Sequence, residues 1–173
     1  TVDVLGGDDF DAARTFPAAH YAPEVAAAPD AGTQHISVLD ASGLAVALTT
    51  TINTSFGAER VPPGVGVVLN DEMDDFSLAP GVPNAYGLVG TEANAIAAGK
   101  RPLSSMTPTI VLGPDGAVEL VVGASGGSTV ISSTLQVLLS VLVFERSPAE
   151  AVAAPRIHHQ WTPDVLVVEP GLD

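Results

Sequence analysis

Thr33 stands directly behind Gly32 and at the head of the alternating run His35-Ile36-Ser37-Val38-Leu39. If the Gly32–Thr33 bond is cut, the freed α-amino group, with a reference pKa of about 7.7–8.0, becomes a base held beside its own hydroxyl. The competing role for such a threonine is to cap a strand. Gly126 and Gly127 lie between an apolar strand pattern and an apolar helix pattern, so two unencumbered N–H groups could meet a developing oxyanion at the positive end of a helix. They could equally serve a tight strand-to-helix turn. No Gly-Lys-Ser/Thr follows them, which disfavours a phosphate loop. The carboxylates Asp71, Glu72, Asp74 and Asp75 could hold a cation or an ammonium group, or form a solvated turn; they lack the spacing and glycine of a helix-loop-helix calcium site. Ser104 and Ser105, beside Arg101, suit a carboxylate, and are also ordinary loop residues after a proline. In Arg156-Ile157-His158-His159-Gln160-Trp161 the adjacent histidines would point apart on a strand, and no third ligand has clear spacing. A structural role is therefore favoured over a zinc site.

These groups need elements to position them. Ile36 and Val38, then Leu44, Val46 and Leu48, alternate on either side of Asp40-Ala41-Ser42-Gly43 and predict a β-hairpin. Residues 65–69 predict another strand, following Pro62-Pro63-Gly64. Pro80, Gly81, Pro83, Gly87, Gly90 and Gly99 predict a long surface loop over 77–100. Ile110–Leu112 and Val118–Val122 flank Gly113-Pro114-Asp115-Gly116 as a second hairpin. Val130–Phe144 is apolar on nearly every face and predicts a buried helix. A short helix follows at Pro148–Ala153, with proline at its start, and residues 165–168 predict a last buried strand. Residues 1–32 carry Gly6-Gly7, Pro17, Pro23 and Pro29 without a sustained period, and predict an acidic, irregular leader with at most a helical turn near Phe10–Arg14. Hairpins followed by helices predict an α+β domain with helices layered on antiparallel sheet.

Lys plus Arg number 6 against 20 Asp plus Glu in 173 residues, a net charge of −14, and the few cations are scattered. Nucleic acid and anionic membrane surfaces are poor partners for such a chain. The absence of cysteine excludes disulfides and thiolate chemistry but names no compartment. The longest apolar run, 137–144, is interrupted by Ser140 and falls well short of the roughly 20 residues of a membrane-spanning helix. Starting at Thr1 and stopping soon after a strand pattern, the chain is expected to be a piece of a longer precursor, incomplete at its C-terminus.

In order and wording, seven blocks resemble the small-subunit region of the gamma-glutamyltransferases, members of the N-terminal nucleophile hydrolases. They are Thr33-Gln34-His35, Thr49-Thr50-Thr51-Ile52-Asn53-Thr54, Leu69-Asn70-Asp71-Glu72-Met73-Asp74-Asp75-Phe76-Ser77, Pro83-Asn84-Ala85-Tyr86-Gly87-Leu88-Val89-Gly90, Lys100-Arg101-Pro102-Leu103-Ser104-Ser105-Met106, Gly126-Gly127-Ser128 and Pro155-Arg156-Ile157-His158-His159-Gln160-Trp161. The resemblance implies a four-layer αββα sandwich, incomplete without a large subunit. Residues 1–32 would be the tail of that subunit and 33–173 the catalytic domain. It implies that Thr33 is the nucleophile exposed by self-cleavage and that the Thr51 hydroxyl supports it. Asn53, Glu72 and Asp75 would hold the substrate α-ammonium, Ser104 and Ser105 its α-carboxylate, and Gly126 and Gly127 the oxyanion. Tyr86 falls in a stretch that forms a lid in some members. Gln34 stands where a second threonine is frequent, and Ala124-Ser125 where Ser-Pro is usual. Family members also use a large-subunit arginine for the substrate carboxylate.

The activity implied is transfer or hydrolysis of the γ-glutamyl group of glutathione and related compounds, with water, an amino acid or a dipeptide as acceptor, and with neither metal nor organic cofactor. A periplasmic or secreted location goes with it. Two rivals stay open: an acylase removing a glutaryl-type side chain on the same scaffold, and an uncleaved, non-catalytic acidic binding module.

Overall fold

Asp40 turns the first hairpin. Its carboxylate accepts hydrogen bonds from the Ser42 N–H (2.8 Å), the Ser42 hydroxyl (2.6 Å) and the Leu44 N–H (3.0 Å), while Gly43 takes a left-handed φ of 90°. This side-chain mimicry of a turn is the reason Asp and Gly punctuate hairpins. It joins β1 (Gln34–Leu39) to β2 (Ala45–Thr50) in antiparallel register, with Ile36 opposite Leu48 and Val38 opposite Val46. The computed structural model describes residues 32–172, so the expected leader, its turn near Phe10–Arg14 and Asp173 lie outside the described residues.

The second hairpin pairs β3 (Thr109–Leu112) with β4 (Val118–Val122), with an irregularity at Val111/Leu112. It lies against the first: the Ser37 hydroxyl donates to the Val121 carbonyl at 3.2 Å, and the His35 ring fills the space a side chain at Gly123 would take. At Val122, the last residue of β4, the chain meets α1 (Thr129–Leu142) and α2 (Pro148–Ala153). Val122, Val137 and Ala151 form the buried contact among them, flanked by Leu120, Leu138 and Val141. Each fully buried aliphatic side chain there contributes roughly 1.5–3 kcal/mol. A capping box starts α2: Ser147 accepts from the Glu150 N–H, and the Glu150 carboxylate accepts from Ser147, with Pro148 entering the first turn. A short pair, β5 (Ile157–His158) and β6 (Val167–Val168), closes the described chain. The class is α+β. Among the described residues the sheets are two-stranded and the α-helices number two.

Three expectations change. Residues 65–69 form no strand; Gly64 and Gly66 hold left-handed φ values of 79° and 70°, which interrupts extended backbone. The apolar helix is not buried all round: Val130, Thr134 and Val137, spaced i, i+4, i+7, face inward, while Ile131 and Leu135 are about half exposed. The last strand shrinks to Val167–Val168, paired with a strand at Ile157–His158 that the sequence reading lacked. Residues 77–100 are irregular as expected, carrying one short 3-10 turn at Glu92–Asn94 and bridges linking Ser77 to Ala95 and Pro83 to Val89. No helix among the described residues is long and apolar enough to cross a membrane.

Candidate active site

Register alone brings the first two hydroxyls together. Gln34 pairs with Thr50, so the residue before the one and the residue after the other, Thr33 and Thr51, face across the open end of the hairpin with their hydroxyl oxygens 2.9 Å apart. Thr51 Oγ1 also accepts the Asn53 N–H at 2.8 Å, leaving its own proton free to point at Thr33. Gly32, with φ at 72°, enters the hairpin so tightly that a Cβ would lie 2.7 Å from the Thr54 carbonyl oxygen. Its own carbonyl accepts the Ile52 N–H at 3.4 Å.

Asn53 is buried and left-handed (φ 73°), and that turn lets it serve three directions. Its N–H goes to Thr51, its side-chain amide donates to the Asp71 carbonyl at 3.3 Å, and its carbonyl accepts the Tyr86 hydroxyl at 2.9 Å. Asp71 is spent on structure, accepting from the Thr54 N–H and hydroxyl. Asp74 likewise accepts from the Ala85 N–H and holds the Tyr86 loop.

Glu72 and Asp75 are placed differently. They begin and end a 3-10 turn (Glu72–Asp75), in which residues three apart eclipse on one side. Burial, then the neighbouring Asp75 and Asp71 charges, push Glu72 up to about 7, and burial also raises Asp75. Among the described residues Glu72 Oε1 is buried without a hydrogen-bond partner. Burial and the same four carboxylates raise the Tyr86 phenol as well, a sign that the field here is negative throughout. Two carboxylates forced together in a part-buried site favour a cation that can lie between them.

Thr33, Thr51, Asn53, Glu72, Asp75, Tyr86, Ser104, Ser105 and Gly127 line one cleft, which encloses about 30 Å³. With Tyr86 where it lies, that is room for a water or two. Ser104 accepts the Met106 N–H at 3.1 Å, so a local turn presents the serine pair. Gly127 has φ at 59°, and a Cβ there would overlap the Tyr86 ring; only glycine lets the aromatic ring lie on this turn. Gly126, at φ 126°, precedes it but does not line the cleft, and its carbonyl accepts the Thr129 N–H at the start of α1.

Nine of the ten residues singled out from sequence therefore share one cleft, and Met106 and Val130 join them unforeseen. Val130 was legible only as core; its place at the first turn of α1 puts it under the cleft. The two histidines part as expected: His158 meets Ser132 and Gln160, whereas His159 meets Asp164. The cleft can hold an ammonium between carboxylates a short way from a pair of hydroxyls and a helix-start turn, which is an arrangement suited to acyl transfer from an amino acid derivative.

A sequence profile of the family described as Gamma-glutamyltranspeptidase matches residues 8–173. The chain is 54% identical over 139 residues to an Escherichia coli protein named Glutathione hydrolase proenzyme, an overlap of 80% of this chain and 24% of that protein. It thus spans about a quarter of the length of that curated relative. An Arabidopsis thaliana protein whose name includes the words inactive glutathione hydrolase 4 is 45% identical over 157 residues, covering 90% of this chain and 82% of that protein. Among solved structures, a Helicobacter pylori gamma-glutamyltranspeptidase mutant superposes with a TM-score of 0.75 at 55% identity, over 78% of this chain and 72% of that one.

Proposed function

The chain belongs to the gamma-glutamyltranspeptidase family, and from that premise we propose that it carries the nucleophile of an enzyme that transfers or hydrolyses γ-glutamyl groups, glutathione among its substrates. Self-cleavage comes first: the Thr33 hydroxyl attacks the Gly32 carbonyl, the peptide N–C bond breaks in favour of an ester, and water releases Thr33 as a new N-terminus. The hydrogen bond from Ile52 to the Gly32 oxygen polarises the carbonyl under attack.

In turnover the Thr33 hydroxyl attacks the substrate γ-carbonyl and gives its proton to its own α-amine. The amine then passes the proton to the leaving nitrogen as the C–N bond breaks, and a glutamyl ester remains on Thr33. Thr51 hydrogen-bonds the reacting oxygen, and the Gly127 N–H in the cleft meets the oxyanion, joined by the N–H of Gly126 just behind it in the same turn once substrate is bound. Water or an amino acid or dipeptide amine then takes the glutamyl group. Glu72 and Asp75 hold the α-ammonium with Asn53 beside them, Ser104 and Ser105 meet the α-carboxylate, and Tyr86 covers the cleft. The observation that carries this reading is the part-buried Glu72–Asp75 carboxyl pair in the same cleft as the Thr33–Thr51 hydroxyl pair.

On this reading residues 1–32 end a large subunit from the same precursor, residues 33–173 belong to an αββα sandwich completed by it, and the protein works in the periplasm or is secreted. The similarity to a relative with the word inactive in its name favours a second reading, a non-catalytic module. Mass spectrometry of the full-length protein separates the two: Thr33 should become a free N-terminus and Thr33→Ala should leave the precursor whole. A wild-type precursor that stays intact on long incubation refutes the catalytic reading.

A further inference from the structure

Gln160 lies outside every role assigned so far, yet its one amide joins two walls of the cleft. Its nitrogen donates to the Tyr86 carbonyl at 3.0 Å and to the Thr162 carbonyl at 3.2 Å. Its oxygen accepts the Ser128 hydroxyl at 2.8 Å and faces His158 Nε2 at 2.9 Å. Main-chain carbonyls can only accept, so the amide has one sense and cannot be reversed. His158 is itself fixed by Ser132 of α1, 2.8 Å from its Nδ1. On the loop side, Gly87 holds a left-handed φ of 75°, the backbone turn that follows Tyr86 and sets the direction of its carbonyl.

Resting on the γ-glutamyl reading above, we propose that Gln160 is a positioning residue with two separable arms. The donor arm ties down the backbone of Tyr86, whose hydroxyl is already held by Asn53 and whose ring lies on Gly127. The acceptor arm ties Ser128, and with it the turn that presents the Gly127 N–H. Tyr86 covers bound substrate in ground state and transition state alike, so the donor arm acts on KM. The Gly127 N–H matters most when charge develops on oxygen, so the acceptor arm acts on kcat.

The full-length protein carrying this chain is the material for the test. Gln160→Glu keeps the acceptor oxygens and loses the donor. It should raise KM for a γ-glutamyl anilide about two- to tenfold, the range set by one neutral hydrogen bond, with kcat within about twofold of wild type. It should also quicken amide hydrogen exchange at residues 86–88 while leaving α1 unchanged. Ser128→Ala should lower kcat by a similar factor with KM held, and Ser128→Thr, which keeps the hydroxyl, should restore it. Gln160→Ala adds no charge and serves if Gln160→Glu misfolds; having lost both arms, it should change KM and kcat together. Unchanged exchange over 86–88 in a folded Gln160 variant, or a KM effect from Ser128→Ala, overturns the proposal. If wild type itself does not turn over the anilide, the proposed function fails, and the exchange measurement still decides whether the clamp exists.

Discussion

On the proposed function an α-ammonium settles between Glu72 and Asp75, which requires both to be ionised, and the pH at which this happens is set by the cleft. Burial first, and then the neighbouring Asp75 and Asp71 charges, push Glu72 up to about 7 before any substrate arrives, with Asp75 raised as well. A carboxyl with a pKa of about 7 is about nine-tenths ionised at pH 8 and about one-tenth at pH 6. The inhibition constant of L-glutamate, assayed against a γ-glutamyl anilide, should therefore rise about tenfold from pH 8 to pH 6. Glutarate, which has the same length but no ammonium, should show no such rise and serves as the control for titration of the Thr33 amine. Glu72→Gln should weaken glutamate binding and flatten its profile. The sign for stability runs the other way. The folded-state pKa lies above the ordinary one, so the folded chain binds this proton more tightly than the unfolded chain does. The contribution is largest below the ordinary carboxylate range and is lost as pH rises through 7. Glu72→Gln should accordingly raise Tm of the unliganded protein at pH 8 more than at pH 5. A glutamate profile that is flat in wild type, or a slope that survives Glu72→Gln, refutes the reasoning.

On the same proposed function Asp75→Asn removes the charged contact to the substrate ammonium, worth roughly 1.5–3 kcal/mol, so kcat/KM for a γ-glutamyl anilide should fall about ten- to a hundredfold while self-cleavage, followed by gel, proceeds. Gly32→Ala forces a side chain into left-handed backbone and against the Thr54 carbonyl oxygen at 2.7 Å; precursor should persist on a gel where wild type is cut, and cleavage at the wild-type rate refutes the strained-turn account. Residues 1–173 expressed alone should self-associate and bind a hydrophobic dye, because Ile36, Val38, Val46 and Leu48 are each nearly half exposed on paired strands. Light scattering that shows a dye-silent monomer removes that expectation.

Local pattern carried the two hairpins, since Asp40 and Gly43 and the run Gly113–Gly116 are turn chemistry written in adjacent residues. It carried α2 for the same reason, with Ser147, Pro148 and Glu150 in consecutive reach. It failed at residues 65–69 because valines invite extension while Gly64 and Gly66 decide the backbone. On α1 the apolar residues gave no face, and only packing distinguishes Val130 and Val137 from Ile131 and Leu135. Site chemistry was legible as separate blocks, and the seven-block resemblance supplied their roles. Their convergence was not legible. Thr33 and Thr51 meet through hairpin register, but Tyr86 reaches Gln160 across 74 positions, and no period or spacing encodes such a contact.

Burial and the neighbouring Asp75 charge both oppose ionisation of Glu72, so the charged pair costs stability. A turn kept only for folding would relieve it at once with glutamine, so the pair argues for a ligand that repays it when bound. The ligand must bring positive charge and hydrogen-bond donors of its own, which an α-ammonium does and a glutaryl chain does not. A glutaryl group in this cleft would leave the two carboxylates facing apolar carbon. This physical asymmetry places an acylase behind a γ-glutamyl enzyme among the readings of this site. It also predicts the direction of selectivity: the penalty for the wrong substrate grows with pH, because ionisation of Glu72 deepens the mismatch while strengthening the match.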